Sequence, residues 1–311
     1  MFLNDFVLAP DAALTPSYRI SPFRTSDILD NRRLPDSTEA EVYFRSRFPG
    51  RRVFYCESAR QGLGLALQDL GLAPTDVVTI LTTTGNLYIS GCVTREIEKV
   101  CRWSRKIEPN TRCILVNHEF GFPYERLREL SRYELPIIED AAHSFSSNNT
   151  ECSVATVGEY VIYSFPKFFP VQLGGLLLAR EGCALREPVT IDCKRYLQKV
   201  VSFYLRSVEK AREARRHNYA SLRDRFETLL CPPRFEPTPG ATPGVFMFRT
   251  PPDVELPALK IFMQQHGIES SVFYGESAFF VPVHQRLSEA DLDYFVEVVK
   301  AFMQKTEVLA C

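Results

Sequence analysis

Little in this sequence leans one way. Lys and Arg total 37 against 38 Asp and Glu, a net charge of −1. No basic field is present to hold a nucleic acid or an anionic membrane surface, and neither is expected as a partner. Nine cysteines are scattered with no C-x-x-C pair. Zinc would want close ligand pairs, and a disulfide framework would suit a small secreted chain, so reduced thiols in a cytoplasmic protein are the expectation. No apolar run reaches membrane-spanning length. The opening MFLNDFVLAPDAAL carries Asp5 and has no basic region before its apolar residues, so a signal peptide is not expected. Internal repeats and low-complexity tracts are absent as well.

What is present is ordinary globular composition, 45% hydrophobic over 311 residues. That is enough for a large core, and one large and one small domain are expected. The first fifty or so residues are polar and read as irregular. An alternation then begins. VFYC (53–56) reads as a strand and ARQGLGLALQDLG (59–71) as a helix closed by glycine. VVTIL (77–81) is a β-branched strand, Leu87 to Val100 a helix, and RCILVN (112–117) a strand. YERLRELSR (124–132) reads as helical, and LPIIED (135–140) as a strand ending in two acids. EYVIYSF (159–165) and GGLLLAR (174–180) are two more strands, close enough in sequence to pair antiparallel. Continuous apolar strands alternating with helices predict an α/β fold with a mostly parallel sheet flanked by helices. A long helical stretch, 194–230, leads to the Pro/Gly-rich CPPRFEPTPGATPG. The expected division is therefore a large domain over 1–230 and a small C-terminal α+β domain over 231–311. Within the helical stretch, KAREARR (210–216) reads as a solvated helix face.

In an open α/β sheet, ligands bind at the carboxyl ends of the strands. Three groups fall at such ends. Ser58, Ala59 and Arg60 open a helix, whose N–H groups favour a phosphate; Ser58 could equally be a plain N-cap. Asp140 closes PIIED in apolar surroundings, either paired with a cation or capping the next turn. Lys167 lies in YSFPKFFPVQLGG (163–175) among Phe165, Phe168 and Phe169. It either snorkels to solvent or is desolvated, which would free its amine for attack on an aldehyde. A phosphate cradle, a carboxylate and an amine are together what pyridoxal phosphate requires, for its phosphate, its ring nitrogen and its aldehyde.

PIIEDAAHSF followed by GEYVIYSFPKFFPVQLGG resembles the DegT/DnrJ/EryC1/StrS family of sugar aminotransferases, with its EDAA(H/Q) motif, serine-bearing strand, lysine and Gly-Gly pair. ESARQGL (57–63), VNHEFGFP (116–123), ARRHNYASL (214–222) and FFVPVHQRLSEADLDYF (279–295) resemble further family segments in the same order. The resemblance implies the type I fold of pyridoxal-phosphate enzymes. It implies a homodimer, and an amino group moved from a small-molecule donor, expected to be glutamate, to a keto group on a nucleotide-linked sugar. By the same resemblance Lys167 is the catalytic lysine, Asp140 pairs with the ring nitrogen, and His143 lies near the ring's 3-hydroxyl. Ser58, Ala59, Arg60 and Ser164 would hold the phosphate, while Asn86 or Tyr88 would stand where relatives stack an aromatic. The chain departs from the family in having Ala59-Arg60 for Gly-Thr, a short Ser164–Lys167 spacing and no G-Y-N-x-R motif. Another pyridoxal-phosphate reaction, a dehydratase or lyase, and a cofactor-free scaffold are the alternatives. Lys167 argues against the dehydratases that carry histidine in its place.

Overall fold

The computed structural model describes residues 16–148 and 154–310, so the N-terminal stretch read above for a signal peptide lies outside the described residues. The chain divides into two compact units. Phe23–Val208, with Thr238–Thr242, form the larger. Its elements are α1 (Asp27–Arg33), α2 (Glu39–Arg47), β1 (Arg51–Cys56), α3 (Ala59–Asp69), β2 (Val77–Thr82), α4 (Gly91–Glu98), β3 (Arg102–Ser104), β4 (Thr111–Asn117), β5 (Ile137–Asp140), β6 (Tyr160–Ser164), β7 (Gly175–Arg180) and α5 (Ile191–Leu205). Short 3-10 turns follow β4, at Glu119–Gly121 and Leu127–Tyr133, and β6, at Phe165–Lys167.

The seven strands run in the order β1-β7-β6-β5-β4-β2-β3. Strands β3, β2, β4, β5 and β6 are mutually parallel; β7 is antiparallel to both β6 and β1. Residues 113–116 of β4 are fully buried, because side chains alternate between two covered faces. On one face Val78, Ile80, Leu115, Ile138 and Ile162 pack with Leu63, Leu67 and Ile97 of the helices. On the other, Ile114, Val116 and Ile137 pack with Leu127 and Leu130. Each such buried side chain contributes about 1.5–3 kcal/mol.

Several expectations need correction. The N-terminal fifty residues are not irregular throughout, since they hold α1 and α2. Asn31 donates to the carbonyl of Pro170 (2.8 Å), and the amide of Ala40 to Ser202 Oγ (2.9 Å). The helix expected from Leu87 begins only at Gly91, capped by Ser90, and the one expected at 124–132 is a 3-10 turn. The division falls after Val208 rather than after Leu230.

The smaller unit, which among the described residues takes in 16–22, 209–237 and 243–310, contains most of α6 (Val208–Glu227), then β8 (Val245–Arg249), α7 (Leu256–Gln265), β9 (Ser271–Val272), β10 (Ala278–Pro282) and α8 (Glu289–Ala310). Its sheet has the order β8-β10-β9. Helix α6 belongs here because Tyr219 and Phe226 pack on Phe246 and Phe248 of β8, with ring centroids 4.4–5.1 Å apart. Nor is its basic run wholly solvated. Arg215 is 1% exposed; its Nε donates to Gln285 Oε1 (2.9 Å) and its Nη1 to the carbonyl of Pro243 (3.3 Å). Burial pulls its guanidinium down to about 9. Asn218 likewise donates to the carbonyl of His284 (3.0 Å), so the segments 214–222 and 279–295 are partners in one core. Among the described residues no helix is long and apolar enough to cross a membrane.

Leu115 is the test of the large core. Leu115→Ala should lower the stability of the larger unit by about 2–5 kcal/mol in urea denaturation, as a cavity in a rigid sheet does.

Candidate active site

The parallel strands end side by side. Thr82 is in register with Asn117, and Asn117 with Asp140. Asn117 Nδ2 donates to Asp140 Oδ2 (2.8 Å), and the amide of Ala142 donates to Oδ1 (3.1 Å). The amide of His118 donates to the carbonyl of Asp140 (3.0 Å), fixing the strand end itself. Burial pushes the Asp140 carboxyl above its ordinary value, against the two hydrogen bonds, which pull it down. An acid so placed is short of positive charge.

Alternation along β5 turns Glu139 to the face opposite Asp140. Glu139 is fully buried. Its carboxylate accepts from the amides of Ala155 (2.8 Å), Val157 (3.2 Å) and Gly158 (2.6 Å), and lies 3.1 Å from His118 Nε2. His118 Nδ1 accepts from the amide of Tyr124 (3.0 Å), which assigns the proton facing Glu139 to Nε2. Burial alone would raise the Glu139 carboxyl; the His118 contact and the amides of Gly158 and Ala155 outweigh it and hold the group below the ordinary range.

At the other end of the sheet edge, Ser58 caps α3, its Oγ accepting from the amide of Gln61 (3.3 Å) and its carbonyl from that of Gly62 (3.3 Å). The amides of Ala59 and Arg60, first in the helix, lie beyond the reach of its internal ladder. Gly175 is pressed against this helix end: a Cβ there would lie 2.8 Å from the Ala59 nitrogen. It is also the register partner of both Cys56 and Ser164. Ser58, Ala59 and Ser164 therefore meet around one glycine.

Lys167 is half-buried in the 3-10 turn directly after Ser164. The turn is stapled back, with the amide of Phe165 donating to Gly174 (3.1 Å) and that of Gly174 to Glu57 (2.8 Å). Gly174 has φ +113°, so the Gly-Gly pair makes a turn that a side chain would strain. The rings of Phe165, Phe168 and Phe169 are buried and pack on Phe44, Tyr55 and Phe145. The apolar run is thus a floor on which the lysine turn rests.

The remaining candidates fall less centrally. Arg60 is exposed. Asn86 is turned onto its own loop, its Oδ1 accepting from the amide of Tyr88 (2.6 Å). The Tyr88 ring lies 5.9 Å from that of Phe120, which lies 5.2 Å from His143. Phe120 joins two candidates and was passed over in the sequence. It sits in the left-handed region (φ +50°), costly for a bulky residue. Asn117, Glu139 and His118 were also passed over as functional positions. Asn117 had a signal, as the last residue of a strand.

Residues 97–182 match the model of the DegT/DnrJ/EryC1/StrS aminotransferase family. That segment holds Asp140, His143, Ser164 and Lys167, so the resemblance read from EDAAH is found again there. No curated protein matches the chain significantly. Among solved structures it is similar to the aminotransferase TlmJ from Streptoalloteichus hindustanus, with TM-score 0.69 and 17% identity over 90% of this chain and 95% of that one. It is similar to a DegT DnrJ EryC1 StrS aminotransferase from Brucella abortus, with TM-score 0.67 and 16% identity over 89% and 93%. It is also similar to the E. coli GDP-4-keto-6-deoxy-D-mannose-3-dehydratase with bound hydrated PLP, with TM-score 0.67 and 13% identity over 92% and 100%. The chain has the fold of these enzymes.

Glu139→Gln removes a carboxylate that satisfies three amides. It should lower stability by about 3–5 kcal/mol at neutral pH, measured by urea denaturation. Because the folded-state carboxyl is held low, the wild-type advantage is full above the ordinary glutamate value and lost as pH falls through the lowered one. The gap between wild type and variant should therefore narrow in acid.

Proposed function

We propose that this chain is a pyridoxal-phosphate-dependent aminotransferase that takes an amino group from glutamate and delivers it to a keto group on a nucleotide-linked sugar. The observation that carries the reading is the row of strand ends. Asp140 is buried with two hydrogen-bond donors and a carboxyl raised by burial, and suits a protonated ring nitrogen. The end of α3, packed on Gly175 beside Ser164, suits a phosphate dianion. The residues present fit the cofactor.

Bound there, pyridoxal phosphate supplies an aldehyde that takes up amines and a protonated ring that draws electrons from the adjoining carbon. Asp140 keeps the proton on the ring nitrogen, and Asn117 keeps Asp140 aimed. The amides of Ala59 and Arg60 and the hydroxyls of Ser58 and Ser164 bind the phosphate. Lys167 Nζ would hold the aldehyde end of the cofactor and, once freed by the donor amine, would be the base that takes the donor's α-proton and the acid that gives it back. His143 would lie near the ring's 3-hydroxyl, with Phe120 between it and Tyr88. The same reading takes the protein as a homodimer, the commonest closed symmetry of soluble oligomers, working in the cytoplasm.

Absorbance tests it. Wild-type protein with added pyridoxal phosphate should show a band near the visible edge that glutamate bleaches; Lys167→Ala should show neither, and should lose at least about 10²–10⁴ in rate, the usual weight of an acid–base group. A band unchanged by glutamate would favour an elimination or lyase reaction. No band in wild type would overturn the cofactor.

A further inference from the structure

The segment between β2 and β4 borders a cleft of about 380 Å3 at the end of β2. Its wall is formed by Thr82, Thr83, Thr84, Gly85, Tyr124 and Arg105, with Glu125 and Arg126 also bordering it. The loop side of the wall is hydrogen-bonded to itself. Thr82 Oγ1 donates to the carbonyl of Asn86 (2.8 Å), Thr83 Oγ1 to that of Phe122 (2.7 Å), and Thr84 Oγ1 to Glu119 Oε2 (2.9 Å). The amide of Gly85 donates to Thr82 (3.1 Å) and that of Thr84 to Glu119 Oε2 (2.8 Å). These donors are spent.

Arg105 is different. It follows β3 at the sheet edge, and its Nη2 donates to the carbonyl of Asn86 (2.6 Å) and to Thr82 Oγ1 (3.2 Å). Its Nε and Nη1 are sealed from water and have no acceptor among the described residues. Buried donors of a cation left without acceptors are costly, and a protein rarely keeps them without an occupant. Burial lowers the affinity of the guanidinium for its proton, while the charge of Glu119 works the other way. Glu119 itself is engaged by the amide and hydroxyl of Thr84.

We propose that this cleft is a subsite for an anionic oxygen group, a carboxylate or a phosphate, with Arg105 as its cation. The guanidinium carries its charge at every physiological pH and offers planar donors matched to such oxygens. A side-chain adjustment of the kind common on binding brings Nη1 into the cleft. The site lies at the carboxyl end of a strand, where open α/β sheets bind their ligands. It is joined to His143 through contacts already described: Arg105 holds the carbonyl of Asn86, Asn86 holds the amide of Tyr88, and Tyr88 and His143 share Phe120. Only the naming of the ligand's source rests on the aminotransferase reading: the carboxylate is then the amino donor's, the phosphate the acceptor's.

The test uses protein loaded with pyridoxal phosphate, so that the end of α3 is filled. Calorimetry gives the affinity for inorganic pyrophosphate, and the bleaching titration gives the half-saturating glutamate concentration. Arg105→Gln should weaken one of the two by about tenfold or more, and Arg105→Lys by less, as expected for a charge-assisted contact. Loss in the pyrophosphate arm assigns the cleft to the acceptor, and loss in the glutamate arm to the donor. Because Arg105 also braces Asn86, Arg105→Lys and thermal melting separate the two roles: Arg105→Gln should melt within a few degrees of wild type. Folded Arg105→Gln with both affinities unchanged would overturn the proposal. So would a loss in Arg105→Lys equal to that in Arg105→Gln, which would make Arg105 a brace. Failure of wild type to take up cofactor is a separate result, read from the spectrum. The pyrophosphate arm then still decides the cleft by its dependence on Arg105.

Discussion

Glu139 sits where three segments of chain converge. Its carboxylate is out of water, and four donors meet it: the amides of Ala155, Val157 and Gly158 on the way into β6, and His118 just past β4. A charge in that position is tolerable only when it is surrounded in this way, and removing any part of the set exposes the cost of the rest. The arrangement also dictates a glycine. A Cβ at position 158 would lie 2.9 Å from Glu139 Cγ and 3.0 Å from the carbonyls of Ile137 and Tyr160. Because the three segments are tied at one point, the end of β4, the end of β5 and the entry into β6 are held together, and the next residue along β5 is aimed the other way. That residue is Asp140.

The edge so fixed carries a division of labour. Polar hydrogen bonds set positions at the β4–β5 end, through Asn117 and His118. At the β6–β7 end the positions are set by backbone turns and by aromatic packing, with Phe165, Phe168 and Phe169 laid on Phe44, Tyr55 and Phe145. Between them Phe120 is kept in a left-handed conformation by its neighbours: Thr83 bonds the amide of Glu119 and the carbonyl of Phe122, and Ser147 bonds the carbonyl of Gly121. Strain held by so many bonds is a mark of a surface shaped for use.

The strands were legible because β2, β4, β5, β6 and β7 are buried on both faces and read as continuous apolar runs. The candidate residues at their ends, Asp140, Ser164 and Lys167, could be found for the same reason. Helices α1 and α2 were not legible. In α2 only Ala40 and Phe44 are buried, too few to print a periodic stripe through charged residues. The unit boundary was misread because α5 and α6 follow each other with only Arg206 and Ser207 between them, while the Pro/Gly-rich break further on looked more like a hinge. Arg215 was read as solvated because a buried arginine looks like its exposed neighbours in sequence; what buries it, Gln285 and Pro243, lies far along the chain. Glu139 was hidden likewise. Its partners lie about twenty residues to either side, and only the sheet brings them to it.

The account depends on Asp140 being a carboxylate that waits, buried, for a cationic ring. The most direct measurement is the affinity of Asp140→Asn for pyridoxal phosphate, taken together with the melting of the cofactor-free protein. The account predicts an affinity lower by about tenfold or more, because the ring nitrogen loses its charged partner. Cofactor-free stability should stay within about 1 kcal/mol of wild type, since an acid raised by burial gives up little when it becomes neutral. Undiminished affinity in the folded variant would contradict it.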